Sequence, residues 1–154
     1  KNSAEASPIK PESMAKKSLV VGTHLTDDEL IEVLQVGTDV VKHGRRGNPK
    51  AKAFKLSDDR STFRWTEHEN QRLFGGMFKK SVDGEVAVGS IRRVLKGVQS
   101  EVLLTAKLVD PALCMSLECE NRTVDLTFGT KNERDLWIRA LKVLTREMKV
   151  KFAH

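Results

Sequence analysis

The sequence predicts a mainly β fold of the α+β class: a strongly bent sheet of short strands, a C-terminal amphipathic helix that caps it, and a short helix ahead of the first strand. Three observations carry this reading. Short stretches of alternating apolar and polar residues recur between residues 33 and 128, separated by turn-forming residues. Trp137, Leu141, Leu144 and Met148 then follow at spacings of four, three and four, a single apolar stripe flanked by Arg139, Lys142 and Arg146. The order itself is restrictive, because a strongly bent sheet leaves an open end that a helix with one aromatic-rich stripe can plug.

Residues 1–22 read as a disordered leader: Ser, Pro, Lys, Glu and Ala without periodicity bury too little to order themselves. The chain starts at Lys1 without a methionine, which leads us to expect a segment upstream. Residues 23–32 read as the short helix. Thr26 and Glu29 form a capping box, Asp27 and Asp28 favour the positive end of the dipole, and Leu30, Ile31 and Leu34 supply an apolar side. A β-branched strand is expected over residues 33–42. Lys52, Phe54 and Leu56 alternate along a second strand, Ser57-Asp58-Asp59 is a turn, and Thr62-Phe63-Arg64-Trp65 is a third strand. Residues 66–85, with Gly75-Gly76 and Asp83-Gly84, read as a long connection, followed by one strand or two short ones over residues 86–95. Residues 99–109 switch to helical spacing. Leu113, Met115, Leu117 and Cys119 share one face of a strand, and Asn121-Arg122 turns the chain into a partner strand carrying Val124, Leu126 and Phe128. Thr130 and Glu133 open the last helix with a second capping-box pattern. Residues 150–154 read as a tail.

Composition narrows function. The chain has 154 residues, a size that buries a core in one domain. No apolar run approaches the length of a membrane span. Two cysteines exclude a disulfide scaffold and fit a reducing, cytosolic setting. Cys114 and Cys119 do not have zinc spacing, the histidines are scattered, and no nucleophile-base-orienter set stands out, so neither metal, cofactor nor catalytic centre is expected. Residues 42–52 hold five Lys or Arg and no acid, nearly all of the net charge of +6, and Gly44, Gly47, Asn48 and Pro49 mark them as a loop. Concentrated positive potential on a loop points to an anionic partner. Aromatic content of 5% and the absence of tyrosine argue against nucleic acid.

Residues 33–145 resemble a pleckstrin homology (PH) domain. Lys50-Ala51-Lys52-Ala53-Phe54-Lys55-Leu56 is similar to the family's second strand, Lys42 stands at the end of the first, and Glu133-Arg134-Asp135-Leu136-Trp137-Ile138-Arg139-Ala140-Leu141 resembles the terminal helix with its tryptophan. The pattern is most similar to the phospholipase C subtype, through the ungapped stretch 34–56 and the helix-like insertion after Gly97. A PH domain behind a polar leader resembles the acylated PH-domain proteins of apicomplexan parasites. The resemblance implies a seven-stranded bent sandwich or barrel over residues 33–149 and a monomeric, non-enzymatic peripheral membrane protein. It further implies binding to an anionic phospholipid at the cytosolic face of a membrane, and lipid sensing in exocytosis of secretory organelles (micronemes). Such proteins are anchored by an acylated N-terminus; the Met-Gly start and nearby cysteine that this needs are not in this sequence.

The resemblance maps the headgroup site onto Lys42, Lys50 and Lys52, with Arg45 and Arg46 at the loop tip. Period-two geometry agrees: Lys50 and Lys52 lie on one side of a strand, where Lys42 can converge on them across the hairpin. Arg64 either joins them or faces solvent. The tight inositol phosphate binders of the family place arginine where this chain has Lys52. Point-charge lysines suit a small phosphomonoester such as phosphatidic acid at least as well as a polyphosphorylated ring. Phosphoinositide binding and a protein-interaction adaptor are the alternatives. Phe74, Met77 and Phe78, on a glycine-hinged loop before Lys79-Lys80, either dip into a membrane or pack beneath their own loop.

Overall fold

The structure, a computed structural model, describes residues 24–45, 47–67 and 82–154. The expected leader, Arg46 and the loop with Phe74, Met77 and Phe78 lie outside the described residues.

Helix α1 (Asp27–Val36) starts where the capping box puts it: Thr26 Oγ1 accepts from the Glu29 amide at 3.1 Å, and the Thr26 amide donates to Glu29 Oε1 at 2.9 Å. It ends later than expected. Val33 and Leu34 are buried with Leu30 and Ile31 on one face, so the β-branched residues complete the helix instead of opening the strand. Gly37 stops it, with φ 83° and an amide that bonds back to Val33 O at 3.0 Å. A Cβ there would stand 2.5 Å from Lys55 Cβ, so both backbone shape and space require glycine.

The chain then builds β1 (Thr38–His43), β2 (Lys50–Leu56), β3 (Thr62–Glu67), β4 (Val82–Ala87), β5 (Ile91–Lys96), α2 (Glu101–Thr105), β6 (Cys114–Cys119), β7 (Thr123–Thr127), α3 (Lys131–Leu144) and β8 (Lys151–Ala153). The strands form one sheet in the order β4-β3-β2-β1-β7-β6-β5-β8. Asp83-Gly84, expected in a connection, is inside β4. The expected tail supplies an eighth strand, parallel to β5 with Val94 opposite Phe152. Gln99 Nε2 holds its end by donating to Ala153 O at 3.1 Å. The insertion after Gly97 is helical over a shorter span than its spacing suggests, five residues capped by Ser100.

The sheet's inner face and the two longer helices enclose the core. Trp137, 1% exposed, lies 5.6 Å from Phe54, 6.1 Å from Phe63 and 5.7 Å from Phe128 between ring centroids. Arg134, also on α3, is buried without being orphaned: it donates to Cys114 O at 2.9 Å, Pro111 O at 3.1 Å and Asp135 Oδ1 at 2.8 Å. Cys114 and Cys119 are buried free thiols, and burial pushes the pKa of both upward.

Candidate functional site

The β1–β2 hairpin pairs Lys42 with Lys50 and Val40 with Lys52. Val40, Phe54 and Leu56 on that same face are core residues. Lys42, Lys50 and Lys52 therefore prolong the core face of the sheet beyond its apolar edge, as the strand period predicts. Beneath them lies Trp65, opposite Phe54 and 4% exposed. Its indole is a core residue and a platform at once: Lys42 Nζ stands 4.8 Å from the ring centroid and the Arg122 guanidinium carbon 5.3 Å.

Arg122 is the residue that sequence reasoning missed. Its local pattern marks it only as half of a tight turn. Because β7 runs antiparallel to β1 on the side away from β2, with His43 opposite Asp125, the β6–β7 turn arrives beside the basic loop. Burial pushes the Lys42 pKa down, and the positive charges of Arg122 and Lys52 push it further, against the opposing pull of Asp125. An anion placed over Trp65 would relieve that repulsion.

The remaining candidates separate. Lys52 Nζ is paired with Asp83 Oδ2 at 2.5 Å. A bulge delivers Asp83: Trp65 pairs with Gly84 and Thr66 with Val82, leaving Asp83 as the extra residue of β4. Gly84 allows the indole to lie directly on the strand, since a Cβ there would be 2.3 Å from Trp65 Cζ2. Arg64 does not join the lysines. Its neighbours Phe63 and Trp65 face inward, so Arg64 faces the other way, where it pairs with Glu85 at 3.2 Å. Arg45 is exposed and lines cavities of 310 and 480 Å³; the larger it shares with Arg122 and with His43 and Asp125 of the outer face. Among the described residues, no cluster of His, Cys, Asp and Glu could hold a metal ion, and no helix is long and apolar enough to cross a membrane.

His43 closes β1 on that outer face. Its Nε2 is 2.8 Å from Thr127 Oγ1, and its buried Nδ1 has no partner among the described residues. Nearby, Asp125 accepts from Ser116 at 2.7 Å, from Thr123 at 2.8 Å and from Ser100. Burial lowers the His43 pKa, Asp125 opposes this and Lys42 adds to it. The folded state thus favours neutral imidazole. Its contribution is complete above the ordinary value of 6.5 and is lost as pH falls from there toward the lowered value. Wild-type melting temperature should drop between pH 7.5 and 5.5, and His43→Gln should show a smaller drop; equal drops would refute the assignment.

Comparison with known proteins gives the fold a name. No protein-family model matches the chain. The PH domain from TgAPH superposes on 80% of this chain and 93% of its own with a TM-score of 0.53, at 19% sequence identity. The chain has the pleckstrin homology fold. The chain is also similar in structure to Inner Membrane Complex Sub-compartment Protein 1 from Toxoplasma gondii, at a TM-score of 0.57, 17% identity, and coverage of 80% of this chain and 96% of that one. Among curated sequences, 120 residues (76% of this chain) are 30% identical to 1-phosphatidylinositol 4,5-bisphosphate phosphodiesterase delta-4 of Xenopus laevis. The match spans 15% of that relative's length, so what the two share is one segment of a much longer enzyme. In the PH fold of this chain, the seven expected strands are joined by β8, which extends the β5 edge.

Proposed function

We propose that the protein is a non-catalytic membrane-recruitment module that holds one anionic phospholipid headgroup, phosphatidic acid, between the β1–β2 hairpin and the β6–β7 turn. The observation that carries this reading is the placing of Lys42 and Arg122 at one indole ring. Among the described residues neither cation has a carboxylate partner in an ion pair. Lys50, exposed and opposite Lys42, adds a third charge. A phosphomonoester brings a charge of about −1.5 to −2 and several acceptor oxygens, which suits such a group. Each cation near an anionic surface contributes about 1 kcal/mol, less when screened by salt, so attachment through this site alone is reversible. The match to part of a phosphoinositide-cleaving enzyme and the PH fold both support a lipid surface as the partner. The resemblance to apicomplexan acylated PH proteins extends the reading to a lipid sensor at the cytosolic face of a secretory organelle, with acylation upstream of Lys1 making attachment firm.

Vesicle sedimentation tests it. Vesicles carrying phosphatidic acid should retain more protein than phosphatidylserine or phosphatidylinositol 4,5-bisphosphate vesicles of equal surface charge. Equal retention on all three would reduce the site to nonspecific attraction. No retention on any would favour the adaptor reading, in which the basic loop meets an acidic protein.

A further inference from the structure

We propose that Asp83 is a specificity-determining residue: its carboxylate, turned onto Lys52 by the β4 bulge, admits a headgroup with one phosphate and turns away polyphosphorylated ones. The inference rests on the headgroup reading above and narrows it. In a regular strand, side chains alternate between faces, so Asp83 and Glu85 would share one face. The extra residue at the bulge breaks this alternation. Glu85 follows Arg64 to the outer face, while Asp83 reaches Lys52 beside the Lys42 cluster. The result is a divided set of cations. Lys42 and Arg122 stand over Trp65, and Lys52 already has its counter-ion at 2.5 Å, with the two side chains 15% and 28% exposed.

A single phosphate over the indole leaves that ion pair intact. A second or third phosphate on an inositol ring has to seek Lys52 and instead meets a partly buried carboxylate, paying like-charge repulsion or breaking the pair. Removal of the negative charge, with the shape kept, should release Lys52 for the larger headgroup.

The test is Asp83→Asn, with Asp83→Ser as a second variant should the amide disturb the bulge. Both are titrated with phosphatidic acid vesicles, phosphatidylinositol 4,5-bisphosphate vesicles and soluble inositol 1,4,5-trisphosphate. Affinity for the two polyphosphorylated probes should rise on the order of tenfold, the scale of one elementary charge at a half-buried site. Phosphatidic acid binding should change less than about threefold, and adding Lys52→Ala to Asp83→Asn should abolish the gain. A mere strut between β2 and β4 would change thermal stability but not the ratio of affinities. An unchanged ratio in both variants overturns the proposal, as does a wild type that already prefers the trisphosphate. Should the wild type bind no anionic vesicle, the headgroup reading fails. The soluble trisphosphate still judges Asp83, because a gain in Asp83→Asn upholds its role and no gain overturns it.

Discussion

Lys42→Glu abolishes specific retention on phosphatidic acid vesicles, with apparent affinity falling about thirtyfold: two units of charge at about 1 kcal/mol each. The effect is concentrated here because Lys42 is the point where the cations meet. Its ammonium shares the Trp65 ring with Arg122 and feels both Arg122 and Lys52. The substitution should not unfold the protein, since the new carboxylate relieves repulsion at that position. Lys55→Glu is the matched control. It makes the same change in net charge on β2, but from an exposed position between the inward-facing Phe54 and Leu56, on the opposite face of the sheet. Sedimentation across a salt series should separate the two variants. Equal losses would mean that the membrane reads total charge and not this cluster.

Trp137→Ala is the most damaging change to the fold. The side chain touches the aromatic rings of β2, β3 and the end of β7, so its removal leaves a cavity where α3 meets the sheet. Such truncations cost about 3–5 kcal/mol, a large part of the roughly 5–15 kcal/mol that holds a domain together. Thermal unfolding should shift down by about 10 °C or more, and Trp137→Phe should recover much of the loss. A shift of only a degree or two for Trp137→Ala would show that α3 is not the plug of this sheet. The Phe variant has a second use. It leaves Trp65 as the remaining tryptophan, so its emission reports directly on the cation cluster.

Whatever depended on local pattern was readable in the amino-acid order. The capping box located the start of α1 and the Thr130 cap that of α3, and period two placed Lys42, Lys50 and Lys52 on a common face. The end of α1 was not readable from β-branching. Val33 and Leu34 pack as helix residues, and the decisive feature was the left-handed Gly37. Arg64 shows a signal that was available: flanked by Phe63 and Trp65, it had to face away from them. Arg122 and Asp83 were beyond reach for a different reason. One is brought in by the β1–β7 pairing and the other by a bulge between β3 and β4, and neither long-range register nor an inserted residue leaves a trace in local periodicity. The β8 strand is similar, because three residues become a strand only when an open edge is waiting for them.

The two thiols of β6 offer an experimental handle. Both are sealed in the interior with their ionisation suppressed, so alkylating reagents have little thiolate to attack while the domain stays closed. A cysteine introduced at Lys50 could then be labelled selectively with a dye, without first deleting the native ones, and would carry a spectroscopic reporter to the rim of the cation cluster. The native pair would react only when the molecule opens, turning their modification rate into a clock for unfolding.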